Sequence, residues 1–322
     1  MDGLDLAAAN LISPPILFFA LGLGAALVRS DLSVPEAIAK ALSLYLVMAI
    51  GFKGGVQMAE SGLTATALGA LGAGIVLSAA IPLISFTLLR FTSGLDRINA
   101  AAVAAHYGSI SIVTFIAATD SGAMMGLVAA GFMVAVAATM EAPAIFTGLM
   151  LAGKREDSDG GNGLLRDVAF NGSIVLLLGA FGVGWATGPT GMMAVAPFFN
   201  DIFRGVLCLF LLDMGLVAGR GLLRHGRDMQ PTVILHGLYM PLIGAALGLG
   251  AAFIAGLDVG SGALLMTLSA SASYIAVPAA LRLALPEAKP AISLTLSLGI
   301  TFPFNLILGI PLYYWAAGQV LG

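Results

Sequence analysis

Two short polar runs interrupt an otherwise apolar chain and carry most of its chemistry-bearing side chains. The first, AHYGSISIVTF from Ala105 to Phe115, packs a histidine, a tyrosine, a glycine, two serines and a threonine into eleven residues. The second, TLSASASYIAVP from Thr267 to Pro278, follows 160 positions later, so that Ser109 aligns with Ser269 and Ser111 with Ser271. Such runs are suited to binding ions. Where a helix breaks, the N–H groups of the new half-helix and the C=O groups of the old one lose their partners. The first attract anions and the second cations. In Tyr107-Gly108-Ser109-Ile110-Ser111 the glycine permits a break and a serine stands ready to cap a new start. Ser269-Ala270-Ser271-Ala272-Ser273-Tyr274 has three serines in five residues, with Pro278 downstream. The anion-binding candidates are therefore Gly108, Ser109, Ile110, Ser111, Ser269, Ala270, Ser271 and Ser273. Small residues at plain helix–helix contacts are the simpler explanation for either run alone; the matched pair favours a site.

Glu141 is the most informative single residue. It sits within an apolar segment, between Thr139 and Pro143. An ionisable side chain at membrane depth costs about 2.5–3.5 kcal/mol on insertion scales and marks a functional position. At the matching place in the second half stands Thr301-Phe302-Pro303-Phe304-Asn305. A carboxylate, hydroxyls, an amide and proline-freed carbonyls are hard oxygen ligands for a small hard cation. The cation is read as sodium, with Glu141, Thr139, His106, Tyr107, Thr301 and Asn305 as its candidates. A proton-carrying or merely hydrogen-bonded Glu141 is the competing explanation, and His106 also reads as a packed neutral histidine. Lys53 and Asp213 fall at equivalent ends of two spans, where they would pair, line an outer vestibule or anchor the interface. No HExxH, CxxC, GxSxG or P-loop occurs, so neither an enzyme nor an ATP-driven pump is expected, and no organic cofactor.

The elements that must hold these groups are membrane helices. Hydrophobic residues make up 59% of the 322, charged residues 10%, and the mean hydropathy is +1.01. A soluble domain carries about 25% charged residues, so this chain cannot clothe a water-facing surface and its natural partner is membrane lipid. The net charge of −3 points to no nucleic acid. The lone Cys208 forms no intrachain disulfide. The start of the chain has no positive region typical of a cleaved signal, so the first span is expected to be retained. Ten spans are expected at 14–28, 36–53, 63–89, 98–119, 121–152, 167–187, 197–219, 231–255, 259–281 and 290–318. Of the 14 Lys and Arg residues, all but Lys53 and Arg204 then fall on one side. The positive-inside rule makes that side cytoplasmic, including the polar loop at 153–166, with both termini outside. Matches at the 160-residue offset (Gly22 and Gly24 with Gly182 and Gly184, Gly55 with Gly215, Pro143 with Pro303) suggest two five-span halves, 1–152 and 167–322. Five is odd, so the halves insert with opposite orientation, an inverted repeat of the kind many secondary transporters use.

The runs Arg29-Ser30-Asp31-Leu32-Ser33-Val34-Pro35-Glu36-Ala37-Ile38, Ala49-Ile50-Gly51-Phe52-Lys53-Gly54-Gly55, Ala105-His106-Tyr107-Gly108-Ser109-Ile110-Ser111 and Ser271-Ala272-Ser273-Tyr274-Ile275-Ala276 resemble the sodium-dependent bicarbonate transporter (SbtA-type) family. The resemblance extends from the first span to the last. It implies a sodium/bicarbonate symporter of the carbon-concentrating system in the bacterial inner (plasma) membrane. It further implies two inverted five-helix repeats, with helices 1, 2, 6 and 7 forming a gate domain and helices 3–5 and 8–10 a core in which broken helices 4 and 9 cross. A homotrimer and a cytoplasmic PII-like regulator are implied as well. The rival expectations are a symporter of another small anion, a cation/proton exchanger, or a membrane receptor that signals to a cytoplasmic protein.

Overall fold

In lipid every backbone polar group needs a partner within its own segment, and among the described residues every regular element is accordingly a helix, with no strand. The computed structural model describes residues 13–62, 64–153, 172–225 and 229–322. Most of the expected 153–166 loop and the start of the sixth expected span lie outside them. So do residues 1–12, on which the expectation of a retained first span partly rests.

In chain order the helices are α1 (Pro14–Leu27), α2 (Glu36–Ser61), α3 (Ala65–Thr92), α4 (Arg97–Gly108), α5 (Ile112–Met124), α6 (Met133–Thr139), α7 (Ala142–Ala152), α8 (Gly172–Ala196), α9 (Phe203–His225), α10 (Pro231–Ala255), α11 (Val259–Ala270), α12 (Ala276–Ala284) and α13 (Pro290–Leu321). A π-helical turn, Pro197–Asp201, extends α8, and α13 widens into π-helical turns at Ser297–Thr301 and Asn305–Gly309. Among the described residues eight segments are long and apolar enough to cross a membrane; α4–α5 and α6–α7 each count as one. The helices α1 and α11 are shorter apolar helices. The chain is thus a multi-pass, all-helical membrane protein.

Several expected boundaries move. The 36–53 span continues to Ser61, and 197–219 becomes 203–225. The 121–152 span is two objects: residues up to Met124 complete the preceding helix, and the chain reverses through residues 125–132 before α6 begins. Gly126, at φ +72°, makes that reversal with a backbone few side chains tolerate. Gly188, at φ +57° and followed by Pro189, kinks α8 in the same way.

The helices pack in two groups. In one, α9 lies along α1 and α8 along α2. The contacts are backbone-close: a Cβ at Gly22 would strike the Leu212 carbonyl, and one at Gly184 the Phe52 carbonyl, the small-residue packing that replaces hydrophobic drive between helices in lipid. In the other group α3 packs with α4 and α7, α10 with α11 and α13, and α3 meets α10. The α4–α5 segment is innermost, with 94% of its most apolar window buried against 39% for α3. The helices α4 and α11 are both twelve residues long. Both start from an aspartate cap, Asp96 accepting from the Asn99 N–H and Asp258 from the Ser261 N–H, each at 2.9 Å. Both stop at a buried serine.

Candidate substrate and cation site

The two polar runs are helix breaks. Ser109 (φ −92°, ψ 150°) and Ser111 (φ −100°, ψ 110°) are extended, and Ser111 Oγ accepts the Thr114 N–H at 3.2 Å, capping α5. Gly108 has a different role from the one expected. Its φ is not positive. A Cβ there would run into the Pro82 ring and come within 2.7 Å of the Ser78 carbonyl, so glycine lets the end of α4 lie against α3. In the second run α11 stops at Ala270, Ser271 is extended (φ −81°, ψ 163°), and α12 starts only at Ala276.

Each break satisfies the other. The Ser111 N–H donates to Ser271 Oγ at 3.0 Å, and that hydroxyl donates onward to the Leu268 carbonyl at 2.8 Å. The Ser273 N–H donates to the His106 carbonyl at 2.8 Å. His106 Nδ1 bonds the Ser273 carbonyl; since a carbonyl only accepts, Nδ1 carries the hydrogen. From α13, Asn305 Nδ2 donates to the Ala270 carbonyl at 2.9 Å and Tyr313 donates to Asn305 Oδ1 at 2.8 Å. Thr301 Oγ1 donates to the Gly237 carbonyl at 2.9 Å, which makes the Tyr107 hydroxyl, 2.6 Å away, the donor to Thr301. All these residues are buried, so the crossing is a hydrogen-bonded unit without access to bulk water.

Beside it lies a cavity of about 20 Å³ lined by residues 110–112 and 273–276, with Glu141, Ala137 and Ala138 opposite. That volume admits about one water-sized molecule. The starts of α5 and α12 both face it, bringing the first-turn N–H groups of Ile112 and Ala276, which have no intrahelical acceptor. Ser111 and Ser273 add hydroxyls. The Tyr274 hydroxyl approaches Ser111 yet makes no well-formed hydrogen bond. Two positive helix ends, two hydroxyls and a spare phenol suit a small anion.

Glu141 supplies the opposite charge. It stands at the α6–α7 junction, 8% exposed, and its Oε2 accepts the Ser109 hydroxyl at 2.8 Å. The Ser78 hydroxyl spans the junction, donating to the Met140 carbonyl at 2.6 Å and accepting the Ala144 N–H at 3.2 Å. Among the described residues no donor outside α4 itself reaches the carbonyls of Tyr107 or Gly108 at the C-terminal end of that half-helix. No group of three His, Cys, Asp or Glu residues occurs among the described residues. One carboxylate with hydroxyls and backbone carbonyls is a set of hard oxygen donors, of the kind that suits a small hard cation.

A profile of the Na+-dependent bicarbonate transporter superfamily matches residues 14–318. The chain belongs to that superfamily. Among curated proteins none matches. The family is one of sodium-dependent transporters, and membership agrees with the resemblance carried by the AHYGSIS and SASYIA runs.

Within this superfamily member the expected residues divide. Ile110, Ser111 and Ser273 line the cavity, as does Glu141. Gly108, Ser109, Ser269, Ala270 and Ser271 do not: Ser109 turns to Glu141, Ser271 bridges the breaks, and Ser269 Oγ lies 3.0 Å from where a Cβ on Gly248 of α10 would stand, with no hydrogen-bond partner. Of the cation candidates, Thr139 donates back to Val136 at 2.8 Å, and His106, Tyr107, Thr301 and Asn305 pin the crossing; Glu141 hydrogen-bonds none of them. Lys53 and Asp213 both lie inside helices rather than at their ends. Lys53 stands over the Phe203 ring, 4.2 Å from its centroid, about 15 Å along α9 from Asp213, so the two do not pair. Tyr274, Ile275 and Ala276 were missing from the candidates. The signal for them was present, since the first turn after a break is where unpaired N–H groups gather.

Proposed function

We propose that the chain is a sodium-coupled bicarbonate symporter working by alternating access. The observation that carries this is the convergence of two half-helix starts and their serines on one cavity, across from a carboxylate hydrogen-bonded to one of the breaks. Bicarbonate is a small oxyanion suited to helix-start N–H groups and hydroxyl donors; larger than the water-sized space present, it would be admitted as the core moves and the cavity widens. Facing Glu141 it would be repelled, unless a sodium ion held by the carboxylate and the free carbonyls of Tyr107 and Gly108 offsets the charge. Each ion then favours the other, a reciprocal coupling. A family of sodium-dependent transporters and a helical membrane fold speak for a carrier rather than an enzyme.

The same proposal includes ten passes in two inverted repeats, 1–152 and 167–322. The exchanged pairing of α1 with α9 and α2 with α8 supports it: residues 52 and 212 are 160 apart, and the glycines they meet, Gly184 and Gly22, are 162 apart. The matched aspartate caps of α4 and α11 support it too. On this reading α1, α2, α8 and α9 form the gate, and the remaining helices form the core that moves against it. Both termini lie outside and the 153–166 loop in the cytoplasm of a bacterial cell. A homotrimer and a PII-like cytoplasmic regulator follow from the family resemblance. The test is uptake of labelled bicarbonate by purified protein in liposomes: rapid with external sodium, at background with choline. Equal uptake in the two overturns the symport.

A further inference from the structure

The inner cavity has a larger neighbour. About 150 Å³ lies between α2, α5 and the 125–132 reversal, lined among others by Lys53, Gln57, Thr119, Asp120 and Phe203. The two share no lining residue, but the same two helices, α5 and α6, line both. Ile112 and Ala137 belong to the inner cavity, while Phe115 and Thr119 on α5 and Met133 and Val134 on α6 belong to the outer one. Residues 112 and 119 are seven apart, about 10 Å along the helix.

The charges here do not cancel. Arg204 Nε donates to Asp120 Oδ1 at 2.9 Å, with Asp120 8% exposed and Arg204 56%. That ion pair engages one carboxylate oxygen, Oδ1, and the same carboxylate also attracts Lys53 across the cavity. Lys53 is half-buried, stacked on the Phe203 ring, and among the described residues no acceptor hydrogen-bonds or pairs with its ammonium. The Gln57 amide, on the same face one turn further, likewise has no protein partner. The Thr119 hydroxyl is turned away, donating to the Phe115 carbonyl at 2.8 Å. Two cations and one carboxylate leave a net single positive charge beside a partly enclosed space, where the field is stronger than in bulk water. These two cations are also the only Lys and Arg that the charge bias assigns to the outer side.

We infer that this cavity is a capture site for a small anion, in which Lys53 and the Gln57 amide hold bicarbonate or chloride before it moves along α5 to the serine cavity. The inference rests on the carrier reading for its direction of travel, and on the Lys53 geometry for its existence. The pair Arg204–Asp120 holds α9 against α5 and fixes Phe203 under the ammonium. Lys53 is a binding and selectivity residue of this outer cavity and does not touch the inner site.

Two readouts test it. In purified full-length protein, the rate at which a small amine-reactive reagent modifies Lys53 is followed by peptide mass spectrometry, with the exposed Lys40 as internal reference. Bicarbonate or chloride should slow Lys53 by about threefold or more relative to gluconate at equal ionic strength, leaving Lys40 unchanged. Protection of both lysines alike, or of neither, overturns the site. This readout needs no transport, so it stands even if the symport proposal fails. In liposomes, Lys53→Gln should raise the bicarbonate KM about fivefold with kcat held within twofold, and Lys53→Arg should restore KM. A wild-type KM in Lys53→Gln overturns the inference while leaving sodium-dependent uptake by the wild type intact. A fall in kcat with KM unchanged also overturns it, since that marks a structural lysine.

Discussion

Replacing Ser109 by alanine removes one hydroxyl from the crossing and leaves its backbone geometry available. Ser109 is fully buried, and its O–H makes a single bond, 2.8 Å to Glu141 Oε2. A hydrogen bond to an ionised partner contributes about 1.5–3 kcal/mol, against about 0.5–1.5 kcal/mol for a neutral one. If Glu141 holds sodium as a carboxylate, losing the bond that fixes its rotamer should weaken sodium binding by about 10- to 150-fold. A protonated Glu141 would lose only about 2- to 12-fold. The assay is bicarbonate uptake in liposomes at varied external sodium, reading the half-saturating concentration beside a thermal unfolding curve. A tenfold or greater rise with the protein still folded is the expected result. An unchanged sodium requirement with a lowered Tm refutes the reasoning and leaves Ser109 as packing only.

Three further predictions follow from the same contacts. Tyr274→Phe removes a buried hydroxyl that has no partner; stability should hold or rise by about 1 kcal/mol, while the bicarbonate KM rises about tenfold if the phenol donates to the anion. An unaltered KM removes Tyr274 from the site. Ser271→Ala orphans the buried Ser111 N–H and should cost about 1–3 kcal/mol in unfolding measurements; no loss of stability would show that the bridge contributes nothing. At the water-facing end, hydrogen bonds from the Asn99 backbone and side-chain amides hold the Asp96 carboxyl below its usual range. Its capping contribution is complete above the unfolded-state pKa and vanishes as pH falls through the folded-state value. Asp96→Ala should thus lower stability by about 1 kcal/mol at neutral pH, with the gap to wild type closing in acid; a pH-independent gap contradicts the ionised cap.

Much of the crossing was legible because its signals are local. A glycine and two serines inside an apolar segment, with a second run of the same kind 160 positions on, announce a break and its cap, and Ser111 caps α5 in that way. Glu141 announced itself by being charged where charge is costly. What sequence could not supply was non-local. Whether Ser269 or Ser273 faces the cavity depends on how far α11 runs before it stops, and one turn separates the two. The 125–132 reversal is as apolar as the helices beside it, so hydropathy merged it with α6. Gly108 looked like a hinge and is a packing glycine, because the residue it must admit, Pro82, lies on another helix. Asp120 carried the same signal as Glu141, an acid in an apolar run, but its partner Arg204 is 84 residues away.

The coupling itself is tested most directly with a gradient. Liposomes holding the purified protein are equilibrated with equal labelled bicarbonate on both sides, and an inward tenfold sodium gradient, about 1.4 kcal/mol per ion, is then imposed with the membrane potential clamped. The account predicts net accumulation of bicarbonate that collapses when a sodium ionophore dissipates the gradient. Sodium that speeds bicarbonate exchange without driving accumulation would contradict it.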